Sequence, residues 1–285
     1  MVQPENVLAV RARLGEGPIW NAERQVLHWV DIYNRRVHTF DPATGKDTYI
    51  EVDTVVSGIF LEDETHLVLA QEDRLTRLDL HHKTTTPLVE IEADRPDNRL
   101  NDVRADSRGR RWVGTMNNDE QPRASLYRYD PDGSLHRMET GLSISNGLGW
   151  SPDQKTFYLT DSPRQAIYAY DFDVETGAIS HRRPLITLTG ESFYPDGLTI
   201  DSEGCLWSAM WNGWCVIRFD PQGHEMRRVL LPVPLVTSCT FGGENLTDLY
   251  ITTASAGLSQ AELKQSFEAG DLFRLRTEVR GQPLT

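Results

Sequence analysis

Six times along the chain a polar residue is followed, in most cases directly by glycine, by a short apolar or aromatic stretch. The six phrases are Glu16-Gly17-Pro18-Ile19-Trp20, Ser57-Gly58-Ile59-Phe60-Leu61, Asn101-Asp102-Val103-Arg104-Ala105, Asn146-Gly147-Leu148-Gly149-Trp150, Asp196-Gly197-Leu198-Thr199-Ile200 and Thr237-Ser238-Cys239-Thr240-Phe241. Their leading residues are 41, 44, 45, 50 and 41 positions apart. A repeat of that length matches one four-stranded propeller blade. The spacing therefore predicts an all-β, six-bladed β-propeller that uses residues 1–285 as a single domain. Equivalent positions of a propeller lie on a ring around its axis, so Glu16, Ser57, Asn101, Asn146, Asp196 and Thr237 are expected to meet.

The segments after each phrase read as strands. Turn residues precede β-branched and aromatic runs, as where Asn21-Ala22-Glu23-Arg24 leads into Val26–Asp31, Ser151–Lys155 into Thr156–Asp161, and Asp201-Ser202-Glu203-Gly204 into Cys205-Leu206-Trp207-Ser208. Their short, near period-two patterns favour hairpins over helices. Third strands run into Asp-Pro or Asp-x-x-x-Gly reversals such as Asp41-Pro42-Ala43-Thr44-Gly45, where Pro fixes φ and Gly permits φ > 0. Asp130-Pro131-Asp132-Gly133 lacks the spacing and distal Glu of a calcium loop, and reads as one more turn. The sixth unit is one strand short. The apolar run Asn6–Ala12 is expected to supply it, so that the N-terminal strand joins the last blade and closes the ring. Residues 259–269 read as a short helical decoration capped by Ser259.

The charge of −13 excludes a nucleic-acid partner, which needs a basic face. No 18-residue apolar run is present and the N-terminus lacks a leader pattern, so the expected setting is cytoplasmic with no membrane partner. Three cysteines, Cys205, Cys215 and Cys239, do not make a disulfide framework and read as buried apolar residues. The eight histidines share no ligand spacing, and no nucleophile elbow, phosphate-binding loop or Cys-x-x-Cys pair occurs.

Chemistry is thus left to the ring. Asn-Gly and Asp-Gly taken singly are turn dipeptides. Two carboxylates and two amides gathered on one axis are harder to leave as turns, because buried carboxylates need a cation or a proton. An oxygen-only set suits one divalent ion such as Ca²⁺, Mg²⁺, Mn²⁺, Fe²⁺ or Zn²⁺.

Several motifs carry a family resemblance over nearly the whole chain: Leu14-Gly15-Glu16-Gly17-Pro18, Arg99-Leu100-Asn101-Asp102, Gly114-Thr115-Met116, Ser145-Asn146-Gly147 and Tyr194-Pro195-Asp196-Gly197. The chain resembles the regucalcin/gluconolactonase family of six-bladed propeller sugar lactonases, and within it is most similar to bacterial aldonolactonases such as xylonolactonase. The resemblance implies metal ligation by Glu16, Asn146 and Asp196 and substrate contacts from Arg99 and Asn101. Family members carry a Glu soon after Gly-Thr-Met; here the segment is Asn117-Asn118-Asp119-Glu120-Gln121, which leaves Asn117, Asp119 and Glu120 as alternatives, with Asp119 and Glu120 taken as substrate-binding candidates. Tyr194, Trp211 and Trp214 are candidate pocket walls.

The resulting expectation is a metal-dependent carboxylic ester hydrolase. It would open a small-molecule aldonolactone, such as a glucono-, xylono- or arabinono-lactone, with Asp196 as both ligand and general base and with the chain acting as a monomer or weak homodimer. Two alternatives stand beside it: a phosphotriesterase-type hydrolase, disfavoured by the sugar-orienting pair Arg99 and Asn101, and a calcium-binding, regucalcin-like or protein-binding propeller without catalysis.

Overall fold

The computed structural model describes residues 3–283, and in it six four-stranded antiparallel sheets stand around one axis. Five sheets are built from consecutive strands, running from the axis outward in chain order. Their innermost strands are Gly15–Asn21, Val56–Leu61, Asn98–Ala105, Ser145–Trp150 and Tyr194–Ile200, which define blades 1 to 5. Blade 6 starts with Val236–Gly242, and its outermost strand is the N-terminal segment Glu5–Leu8, paired antiparallel to Leu272–Arg276. The sequence-predicted closure is therefore present, with a shorter strand than the run 6–12. It leaves no blade with a missing outer strand, and neighbouring innermost strands pack on one another all the way round.

The core lies between the sheets. Trp29, Trp112 and Trp207, from the second strands of blades 1, 3 and 5, are fully buried. Trp112 meets Trp150 of blade 4 edge-on at 5.8 Å, and Trp207 meets Phe241 of blade 6 at 5.9 Å. Each such ring removes roughly 150–250 Å² from water, or about 4–6 kcal/mol at 25 cal/mol/Å² before the entropy of ordering is subtracted. A repeated polar lock holds the turn before two of these tryptophans. In blade 3 Asp106 accepts from the backbone N–H of Arg108 and Arg110 and from Trp112 Nε1; in blade 5 Asp201 accepts from Glu203 and Cys205 N–H and from Trp207 Nε1.

The expected decorations are in place. Asp130-Pro131-Asp132-Gly133 is a turn closed by Gly133 N–H to Asp130 O. The helix Gln260–Gln265 carries a Ser259–Glu262 capping box. All three cysteines are free and buried. No helix among the described residues is long and apolar enough to cross a membrane. Residues 280–282 run over the face opposite the first-strand starts: Gly281 bridges Asp201, and Gln282 Nε2 donates to Trp150 O.

Candidate functional site

Each of the six repeated phrases falls where its innermost strand breaks register with the second strand. The irregularities lie between Glu16 and Ile19, Val56 and Gly58, Leu100 and Val103, Asn146 and Leu148, Pro195 and Leu198, and Val236 and Ser238. A bulge sets an extra residue against the partner strand and re-aims a side chain. Here it recurs once per blade, beginning within the first three residues of each innermost strand, so all six lie near one face of the propeller, its mouth. Gly17 takes a left-handed φ of 53°, whereas Gly58, Gly147 and Gly197 serve crowding between blades: a Cβ on Gly147 would stand 2.6 Å from Asp196 O and 2.6 Å from Leu198 N of blade 5. Asn146-Gly147 and Asp196-Gly197 are thus strand segments rather than the turns their dipeptides suggest.

Around the axis, Asn101, Asn146 and Asp196 are buried and Glu16 keeps partial exposure. A directed chain of hydrogen bonds links three blades. Arg99 Nη1 donates to Asn101 Oδ1 at 3.0 Å, Asn101 Nδ2 to Asn146 Oδ1 at 2.7 Å, Asn146 Nδ2 to Ser162 Oγ at 2.8 Å, and Ser162 Oγ to the carbonyl of Pro195 at 2.6 Å. The two carboxylates stand apart from this chain. Glu16 accepts from its neighbour Gly17 N–H, and among the described residues no side chain donates to Glu16 or Asp196. Burial, then the charge of Asp102, raises the Glu16 carboxyl to about 8 against the smaller opposing effects of Gly17 N–H and Arg99. Burial raises Asp196 well above the usual carboxylate range, and the charges of Glu16 and Asp102 push the same way. Burial likewise draws Arg99 below its usual value, opposed by Tyr33, Glu16 and Asp196.

The substrate-side candidates divide. Arg99 is partly buried beside the carboxylates, with one nitrogen engaged by Leu100 O and Asn101. Asn117 is buried and structural: its Oδ1 accepts from Asp119 and Gln121 N–H, and its Nδ2 donates to Asn98. Asp119 and Glu120 stand exposed in that turn, on the mouth face, because blade 3's second strand ends there opposite Asn98 and Arg99. Tyr194 and Trp214 are 42% and 43% exposed and Trp211 is half-buried beside Tyr194. Thr237 is fully buried and binds Gly15 O at 2.6 Å, tying blade 6 to blade 1, and Ser57 binds Ala70 O.

Four residues of the neighbourhood were not singled out from the sequence. Asp102 is a third acid near the axis, with Arg104 as its offsetting charge. The bulge in blade 3 sets Asn101 and Asp102 together against Gly114 alone, and the doubled polar pair Asn101-Asp102, where four of the other five phrases have glycine, was the available signal. Tyr33 neighbours Arg99, and Ser162 starts the 3₁₀ turn Ser162–Arg164; neither lies in a repeated phrase.

A cavity of about 510 Å³ lies behind the ring, toward the opposite face. Its wall includes Asp102, Arg104, Phe241 and Pro283 but not Glu16, Asn101, Asn146 or Asp196. Asp201, Glu203 and Cys205 also come within ligating distance of one another. Their acids are already engaged, since Arg218 reaches Asp201 at 2.7 Å and Glu203 at 2.6 Å. The equivalent positions in blade 3 are Asp106, Arg108 and Arg110, so this grouping is the repeated turn lock with no cation required.

The axial donor set fits a divalent cation. Two carboxylates without side-chain donors and one amide oxygen, held by rigid strands, form a hard-oxygen set, and a cation would offset the burial that raises both acids. Fold and site together define a six-bladed propeller with an acidic, oxygen-lined centre. The chain belongs to the SMP-30/gluconolactonase/LRE-like family, whose model matches residues 14–255. It is 38% identical to the pentonolactonase XacC of Haloferax volcanii over 97% of this chain and 95% of that protein. It is 37% identical to regucalcin of Gallus gallus over 99% and 97%. Among solved structures, a calcium-binding regucalcin from Agrobacterium tumefaciens superposes with a TM-score of 0.95 at 27% identity, covering 99% and 96% of the two chains.

Proposed function

We propose that this protein hydrolyses a sugar lactone to its aldonic acid at a divalent cation held by Glu16, Asn146 and Asp196. The enzyme class rests on the family, in which sugar lactonases are carboxylic ester hydrolases. The cation reading rests on one observation above the others: Glu16 and Asp196 are gathered on the axis with no side-chain donor to either among the described residues. A bound cation supplies polarisation of the ester carbonyl and a more acidic water.

The chain's own residues do the rest. Asp196 takes a proton from the attacking water as its oxygen bonds to the carbonyl carbon. The tetrahedral adduct then collapses with cleavage of the ring C–O bond, and Asp196 returns the proton to the departing ring oxygen. Arg99 has N–H groups beyond those bound to Leu100 and Asn101, and these orient sugar oxygens through positioning. Asp119 and Glu120, exposed at the mouth, and Tyr194 and Trp214 offer hydroxyl-binding and stacking groups to a sugar entering from that face.

The test is a pH-stat panel of pentono- and hexonolactones with aryl phosphotriesters as comparison, on wild type and Asp196→Ala. Lactone turnover that Asp196→Ala abolishes while the β-sheet circular dichroism persists supports the proposal. Full activity in Asp196→Ala, or turnover of phosphotriesters alone, contradicts it. The Agrobacterium relative's description as calcium-binding favours a second reading, cation binding without turnover. Tight cation binding with no lactone consumed would establish that reading instead.

A further inference from the structure

The hydroxyl of Ser162 is the point where two of the three axial ligands are fixed to each other, and we infer that it is a positioning residue that sets which end of the Asn146 amide faces the axis. The inference rests on the cation reading above and extends it to a residue outside the ring.

The polarity of the hydrogen-bond chain follows from its ends. At the far end the Pro195 carbonyl can only accept, so the Ser162 hydroxyl hydrogen is committed to it. Ser162 Oγ can then only accept from Asn146, and the amide edge facing it must be the NH₂. The near end is independent and agrees. Arg99 can only donate, which makes its partner on Asn101 the oxygen. Asn101 Nδ2 also points at the Ser145 carbonyl at 3.1 Å, another pure acceptor, so the atom it offers Asn146 is a donor. Both ends force Asn146 Oδ1 away from Ser162 and onto the Asn101 side. An amide presented the other way round would place N–H groups where a cation needs a lone pair.

Ser162 is well placed to impose this. It opens the Ser162–Arg164 turn, is 7% exposed, and its N–H donates to Ile144 O. The residue before it, Asp161, is fully buried; its carboxylate lies 3.3 Å from the N–H groups of Ser143 and Ile144 and 3.2 Å from Arg164. The hydroxyl is therefore anchored in blade 4, behind Asn146. It reaches across to blade 5 at the carbonyl whose next residue is Asp196. One oxygen orients the Asn146 side chain and ties down the backbone entering Asp196.

Outer partners of metal ligands are commonly worth about 10- to 100-fold in affinity. With Mn²⁺ and Ca²⁺ alone as probes in titration calorimetry at neutral pH, Ser162→Ala should bind about 10- to 100-fold more weakly than wild type. Ser162→Thr, which keeps the hydroxyl, should recover most of the loss, and Ser162→Cys should fall between. In lactone kinetics at saturating cation, Ser162→Ala should lose mainly kcat, with KM changed less, because Arg99 and Asn101 keep the substrate contacts. In chelated protein, the Asn146 side-chain NH₂ resonances should lose their protection in Ser162→Ala and keep it in Ser162→Thr, which reads the polarity without any cation. If Ser162→Ala binds both ions as wild type does while Asn146→Ala does not, the positioning role is wrong and the cation reading stands. If wild type binds neither ion, the cation reading fails and the role falls with it. Equal loss in the Ala and Thr variants would also overturn it, since that pattern belongs to general disruption of the turn. Should Ser162→Ala not fold, the Thr and Cys variants carry the same comparison.

Discussion

Adding one methyl group at Gly147 should separate two of the axial ligands, and the size of the effect follows from the packing. Gly147 lies outside the left-handed φ region, so an alanine there is unstrained in its own backbone and only space is at issue. Its Cβ would stand 2.6 Å from both Asp196 O and Leu198 N, whereas ordinary contact begins near 3.4 Å. Both opposing atoms are backbone, so no side chain can rotate away. The inner strands of blades 4 and 5 must part by roughly 0.8 Å, directly between Asn146 and Asp196. Misplacement on the order of 1 Å in a catalytic constellation costs roughly 10²-fold in rate, and overpacking of this kind costs about 1–3 kcal/mol of stability. Gly147→Ala should therefore lose about 100-fold in kcat/KM for a lactone substrate and weaken cation binding, with a drop in Tm of roughly 2–10 °C. Gly133→Ala is the matched control. Gly133 has φ +86° with open space around it, so its alanine variant carries backbone strain of about 1–2 kcal/mol without crowding the axis. It should lose stability and keep full activity. Gly147→Ala with wild-type kcat/KM and cation affinity would refute the close-approach reasoning; equal activity losses in the two variants would show that stability, not ligand spacing, governs turnover.

In chelator-treated protein the Glu16 carboxyl, raised to about 8 from 4.5, keeps a proton that the unfolded chain has lost. The Glu16 contribution to stability is then full below about pH 4.5 and falls as pH rises toward 8, by roughly 3 kcal/mol once partial exposure is allowed for; urea unfolding of Glu16→Gln should show a flatter profile over that window, and an identical slope would speak against it. His28 behaves oppositely, since burial, aided by Arg24, lowers it to about 4 from 6.5. Its contribution is lost as pH falls through that window, up to about 3 kcal/mol, and His28→Gln should flatten the acid limb of the same denaturation curves. Asp106→Ala removes the acceptor of Trp112 Nε1 and of the buried Arg110, and should cost about 3–5 kcal/mol in thermal or urea unfolding while kcat/KM at a temperature where the variant is folded stays unchanged.

Much of the architecture was legible because a propeller writes its period into the chain. The six phrases marked the innermost strands, and the missing strand of the sixth unit pointed to an N-terminal closure that the structure forms at Glu5–Leu8. The position of Glu16, Asn146 and Asp196 on one ring was legible for the same reason. What periodicity could not carry was the reason for the glycines. Asn146-Gly147 has the composition of a turn, and only the approach of blade 5 reveals that the glycine makes room for a neighbouring backbone. Ser57 and Thr237 share the ring position, yet they spend their hydroxyls on Ala70 and Gly15 carbonyls, since a hydroxyl among strands finds a backbone acceptor nearby. Asp102 left one trace, the doubled polar pair Asn101-Asp102, but the bulge that brings it near the axis cannot be read from composition. Ser162 was hidden because its role depends on a contact 33 residues away, at Pro195. In the loop after Gly114-Thr115-Met116, sequence left three residues open; Asn117 turns inward to cap its own turn and leaves Asp119 and Glu120 at the surface.

The most direct measurement is anomalous diffraction from crystals soaked in Mn²⁺, paired with lactone turnover of the same preparation before and after chelation. The expected result is a peak on the propeller axis within about 2.0–2.6 Å of oxygens from Glu16, Asn146 and Asp196, with turnover lost on chelation and restored by the ion. A peak confined to Asp201, Glu203 and Cys205, or full lactone turnover in chelated protein with an empty axis, would contradict the central claim.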